Sequence, residues 1–109
     1  MDFINVNDAM KRLGNNKKLY MTLLKKFDAQ GMLDDLLGKV KAGDIKAAEA
    51  AAHTIKGLAA NLSLTDLKEK AEALDIKLKS GDTNADTAEI EQSVKQTVEA
   101  INAWIAENS

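Results

Sequence analysis

The chain holds no cysteine, no proline, only 6 glycines, and aromatics at just 4% of its 109 residues. Without cysteine there can be no disulfide framework and no thiolate metal centre. Without proline, nothing in the sequence forbids long unbroken helices. Strands favour β-branched and aromatic residues, and this chain is rich instead in Ala, Leu, Lys, Glu and Asp. No apolar run approaches the roughly 18 residues of a membrane span. The opening Met1-Asp2-Phe3-Ile4-Asn5 lacks the basic and apolar regions of a secretory leader, so a cytoplasmic location is expected. A start at Met1 suits a stand-alone protein and a piece of a longer one equally well. The formal net charge is −2, which argues against nucleic acid or an anionic membrane as the main partner and leaves room for a local basic patch.

What is present is a helical pattern. A chain of 109 residues that is 45% hydrophobic can bury one core, so a single domain over residues 1–109 is expected. A short helix over about 7–13 should stop at Gly14-Asn15-Asn16, with Asn15 or Asn16 capping the next. That next helix, about 16–42, shows Leu19, Leu23, Leu24 and Phe27 on one face and a kink or break near Gln30-Gly31. Its apolar pattern resumes through Met32, Leu33, Leu36, Leu37 and Val40. Gly43 suits its C-terminus. Asp44 should cap a helix over 44–61. Ser63 or Thr65 should cap one over 65–80 carrying Leu67, Ala71, Leu74 and Leu78. After a polar loop from Asp82 to Asp86, a last helix over 87–107 carries Ile90, Val94, Val98, Ile101 and Ile105. Short polar connections favour antiparallel neighbours. The expected fold is all-α: an antiparallel up-down four-helix bundle with a short extra N-terminal helix.

The single histidine stands apart from the core pattern. On a wheel of about 100° per residue, Ile45, Ala48, Ala52, Ile55, Ala59 and Leu62 share the inward face, and His53 lies roughly 130° away. Residues three and four positions along a helix are its surface neighbours, here Glu49, Ala50, Lys56 and Gly57, with Ala60 a turn further. Lys56 sets an ammonium near the ring. Glycine inside a helix costs about 1 kcal/mol relative to alanine, so Gly57 needs a reason: room beside the imidazole, or close packing of a neighbouring helix. An exposed histidine can also be incidental. Glu49 and His53 alone do not make a metal site, because helical di-metal centres use Glu-x-x-His twice.

Ala52-His53-Thr54-Ile55-Lys56-Gly57, followed by Asn61-Leu62, resembles the signature of histidine phosphotransfer (HPt) domains: Ala-His-x-φ-Lys-Gly-x-x-x-Asn-φ-Gly, where φ is apolar. Leu13-Gly14, Leu19-Tyr20, Leu23-Leu24-x-x-Phe27, Gly43-Asp44 and Leu67 to Leu74-Asp75 extend the resemblance over most of the chain. It implies a four-helix bundle in which His53 accepts a phosphoryl group, Lys56 supports its charge and Gly57 clears space. It also implies a side chain on the following helix that orients the imidazole; Asp75 matches that position, and the alternative for it is a solvated flank carboxylate. Lys46, Glu49, Ala50 and Ala60 are the candidate partner contacts. One departure stands out: where the family has glycine ten residues after the histidine, this chain has Ser63, so the turn there is expected to be built differently.

A neutral imidazole nitrogen is a nucleophile near pH 7, since histidine side chains titrate near ~6.5. Phosphoryl transfer is catalysed mainly by positioning and charge neutralisation. The sequence has no P-loop, no GxGxxG and no evident acidic trio for a metal. No cofactor of its own is expected, and Mg²⁺ should come with the partner. The implied partners are response-regulator receiver domains or a hybrid sensor histidine kinase, the implied state a monomer, and the implied role a covalent carrier rather than an enzyme. The competing readings are a phosphorylation-independent helical adaptor, such as an inactive HPt-like domain, and, third, an autonomous enzyme.

Overall fold

Residues 3–82 and 84–109 are described in the computed structural model. The leader reading on Met1 and Asp2, and Thr83 within the expected polar loop, lie outside them. Among the described residues there are six helices: α1 Val6–Arg12, α2 Lys17–Lys26, α3 Ala29–Lys41, α4 Ile45–Asn61, α5 Thr65–Lys79 and α6 Ala88–Asn108. They form the all-α antiparallel bundle expected from the sequence, with α1 as the extra helix.

Turn chemistry explains most boundaries. Asn5, Asn16 and Asp44 each accept a backbone N–H three residues on, capping α1, α2 and α4. Gly43, with φ +76°, lets α3 close in a Schellman motif, in which Asp44 N–H reaches Lys39 O and Gly43 N–H reaches Val40 O. The break in the first long helix falls at Phe27-Asp28, not at Gln30-Gly31. Asp28 starts α3 by accepting the Gly31 N–H at 2.9 Å. A Cβ on Gly31 would lie 2.3 Å from Asp28 Oδ2. The glycine therefore makes room for the cap and is not the break itself.

Two more expectations are corrected. Neither Ser63 nor Thr65 caps α5; Leu64 is at the N-cap position, with no side-chain cap bond. On α2 the core face is Tyr20 and Leu24, both buried, whereas Leu19 is 40% exposed. The Tyr20 hydroxyl donates to Leu62 O at 2.6 Å, and its ring meets Trp104 edge-on at 5.2 Å. This ties α2 and α6 to the C-terminal end of α4. Burial and the neighbouring charge of Asp8 push the Tyr20 hydroxyl up to about 12.

The core of α4 is made of small residues. Ala48, Ala52 and Ala59 are fully buried, with Ile55 and Leu62, and α5 brings Leu67, Ala71, Leu74 and Leu78. The alanines let the two helices approach closely over their length. That closeness brings side chains of α5 beside His53.

Candidate functional site

His53 projects from the outer flank of α4, as its place on the wheel requires, and its side chain is 66% exposed. Its Nδ1 lies 3.8 Å from Asp75 Oδ2, longer than a hydrogen bond and within reach of a small ring rotation. Asp75 is buried; it is not a solvated flank carboxylate. Its Oδ2 also receives Lys79 Nζ at 3.1 Å. Its Oδ1 is buried with no hydrogen-bond partner among the described residues. A buried carboxylate so incompletely satisfied is a liability for folding.

Lys79 is the residue that the sequence reading missed. It shares an open cleft beside the imidazole with Lys46, Glu49, Ala50 and Thr54. The available signal was its spacing: Asp75 and Lys79 are four apart, the favourable acid-before-base order on a helix. Lys56, by contrast, is half-buried and does not line that cleft. Its ammonium makes no ion pair among the described residues.

Gly57 is exposed, and a Cβ built there meets nothing within 4 Å. Close packing of a neighbouring helix therefore does not explain it. Thus the structure gathers His53, Asp75, Lys46, Glu49 and Ala50 and leaves open space over Gly57. Ala60 sits elsewhere, beside Asp8, Arg12 and Ser63, about 10 Å further along the helix.

His53, Gly57 and Asn61 are spaced by four residues and are all exposed, so they form one stripe along α4. Asn61 leads into an apolar groove of about 580 Å³ lined by Leu13, Leu23, Phe27, Met32, Leu58 and Leu62. Gly57 lies between His53 and Asn61 on the stripe that ends at this groove.

Ser63 resolves the departure from the family pattern. It takes φ +57° and closes α4 in a Schellman motif, Ser63 N–H to Ala60 O and Leu64 N–H to Ala59 O. The turn is therefore the one a glycine would make. The serine hydroxyl also does what glycine cannot: it donates to Asp8 Oδ2 at 2.6 Å. The backbone carbonyl at the same position accepts the Asn5 N–H at 2.8 Å, and the two bonds brace α1. The Ser63 bond, then Arg12, hold the Asp8 carboxyl below the usual carboxylate range.

Among the described residues no three His, Cys, Asp or Glu side chains converge as a metal site, and no helix is long and apolar enough to cross a membrane. A family model described as the Hpt domain matches residues 24–104. No curated protein matches the chain, and no solved structure does.

Proposed function

This chain belongs to the Hpt domain family, whose members act in phosphorelays as phosphocarriers rather than catalysts and work with receiver domains and kinases; we propose that His53 is its phosphoryl acceptor. What carries the reading is the exposed imidazole whose Nδ1 faces a buried carboxylate. If Nδ1–H is turned onto Asp75 Oδ2, the Nε2 lone pair is left as the nucleophile, directed outward. Nε2 attacks the phosphorus of an aspartyl phosphate. The P–N bond forms as the P–O bond to the aspartate breaks, and the carboxylate leaves with the bonding pair. Asp75 faces the positive charge that the ring acquires. Lys56 and Lys79 supply ammonium groups for the phosphoryl oxygens, and Lys79 also holds Asp75 in place. A receiver brings Mg²⁺ and the remaining charge stabilisation.

The receiver would lie over the His53–Gly57–Asn61 stripe with an apolar ridge in the groove of α2, α3 and α4. Lys46, Glu49 and Ala50 would flank it at the imidazole. The domain would act as a monomer in the cytoplasm, relaying the group to a second receiver or taking it from a hybrid kinase.

The test is intact mass after incubation with a phosphorylated receiver domain and Mg²⁺. One acid-labile phosphoryl group is expected on the wild-type chain, and none on His53→Gln with an unchanged helical spectrum. Uptake by His53→Gln would move the acceptor elsewhere. No uptake by wild type from several receivers would leave the adaptor reading.

A further inference from the structure

The chain totals 15 basic and 17 acidic residues, yet six of the basic ones and none of the acidic lie between residues 9 and 27. All six, Lys11, Arg12, Lys17, Lys18, Lys25 and Lys26, are exposed. Arg12 and Lys26 stand on the rim of the apolar groove. Arg12 is paired with Asp8 at 3.0 Å. The four lysines of α2 form no ion pair among the described residues.

Helix ends account for Lys11 and Arg12, which close α1, and for Lys25 and Lys26, which close α2, because the dipole favours cations there; they do not account for Lys17 and Lys18. Lys17 and Lys18 open α2, whose first turn contains no acid, and cations at a helix N-terminus oppose the helix dipole. Like charges around one groove also repel one another. An apolar groove with the unpaired Lys26 on its rim, and three further unpaired lysines on the same helix, is complementary to an apolar ridge flanked by carboxylates. The field of these lysines extends over the groove at low salt and is screened beyond about 8 Å at physiological salt.

We propose that the α2 lysines, with Lys26 on the groove rim and Lys17, Lys18 and Lys25 adding to its field from the same helix, are a charge filter: they favour receiver domains whose docking ridge is flanked by carboxylates and disfavour those with a basic flank. The filter rests on the carrier reading above and adds partner choice to it. Its effect falls mainly on the association rate, where opposite surface charge gives ten- to thousand-fold acceleration at low salt.

The experiment uses the full chain, loaded at His53 with phosphoramidate, a small donor that needs no docking. Transfer is then followed to two probes: a receiver domain with acidic residues flanking its apolar face, and the same receiver with those residues changed to lysine. For the wild-type chain, transfer to the acidic probe should be at least tenfold faster at low salt and should slow as salt rises. Changing Lys17, Lys18, Lys25 and Lys26 to Glu should invert both the preference and the salt dependence. The corresponding Gln variant should fall between, and it serves as the folded control if the Glu variant loses helicity. Equal transfer to both probes, without salt dependence, would overturn the filter and leave the carrier reading intact. Failure of wild type to load would sink both. Binding of wild type to phosphatidylserine vesicles or duplex DNA, abolished in the Gln variant, would also overturn it, by assigning the belt to a polyanion.

Discussion

Helix α5 carries two buried aspartates, each followed four residues later by lysine, and they solve different problems. Asp66 lies in the first turn, where the dipole and free N–H groups of the helix favour a negative charge. Its Oδ1 is 3.5 Å from Lys70 Nζ, and it looks onto a cleft shared with Glu89, Gln92, Ser93 and Gln96. Asp75 lies in the body of the helix, where no free N–H groups are available. Beside it are Lys79 at 3.1 Å and the imidazole of His53 at 3.8 Å. Both carboxylates are buried, and both have an Oδ1 without a hydrogen bond. Burial and ion pairing alone therefore do not mark a site. The difference is that helix architecture accounts for Asp66, whereas for Asp75 only the histidine does.

Bulk separates the two clefts most sharply. Gly57→Leu places a side chain over the His53 face, where an added Cβ meets only open space. Transfer from a phosphorylated receiver should fall at least a hundredfold with the thermal midpoint nearly unchanged, because a displacement of about 1 Å in a transfer complex already reduces rates by that order. Gln92→Leu, in the Asp66 cleft, should transfer normally. Equal losses in stopped-flow transfer would mean that the receiver covers the Asp66 face as well.

Amide substitution is the next probe. Asp75→Asn should slow phosphoryl uptake by about 10–100-fold, the usual effect of losing a partner that orients a functional histidine, while Asp66→Asn should stay within about twofold. Stability should move the other way. Asp66→Asn gives up about 0.3–1 kcal/mol of helix-terminus stabilisation. Asp75→Leu, relieved of a poorly satisfied buried charge, should melt no lower than wild type. Calorimetry together with uptake kinetics reads both. An Asp75→Leu chain that lost several kcal/mol yet took up phosphate normally would make Asp75 structural and leave His53 without its orienting group.

How much of this was legible in the sequence depends on distance along the chain. His53, Gly57 and the inward face of α4 follow from spacing within one helix, and the wheel placed them correctly. The i, i+4 pair of Asp75 and Lys79 was equally local, but its importance was not, because only the close approach of α4 and α5 sets it beside His53. The break falls at Phe27-Asp28 rather than at Gln30-Gly31 because Gly31 clears space for the carboxylate of Asp28 and does not interrupt the helix. Helical spacing puts Leu19 on one face with Leu23, Leu24 and Phe27, yet it is Tyr20 that is buried. The buried hydroxyl of Tyr20 finds Leu62 O, a partner that lies 42 residues away in sequence. Ser63 was read as a cap because serine usually is one, whereas its positive φ shows that backbone geometry decided its role.

A third carboxylate, Asp8, sharpens the contrast from outside α5, since it is half-buried and braces α1. Its native pKa is depressed, chiefly by the Ser63 hydroxyl and then by Arg12. The stabilisation is therefore present above the unfolded value near ~3.9 and is lost as pH falls through the lower native value. Tyr20 behaves in the opposite sense. With its native pKa raised to about 12, its stabilisation is complete below the unfolded value near ~10 and is lost as pH rises toward the native one. Hydrogen exchange should thus show α1 loosening first at acid pH, and thermal melts should weaken above about pH 10. Ser63→Gly should abolish the acid transition while barely changing the melting temperature, because relief of the left-handed backbone opposes the loss of the hydroxyl bond. An acid transition that persisted in Ser63→Gly would assign the brace to the Asp8–Arg12 pair, and phosphoryl uptake at His53 should be the same in either outcome.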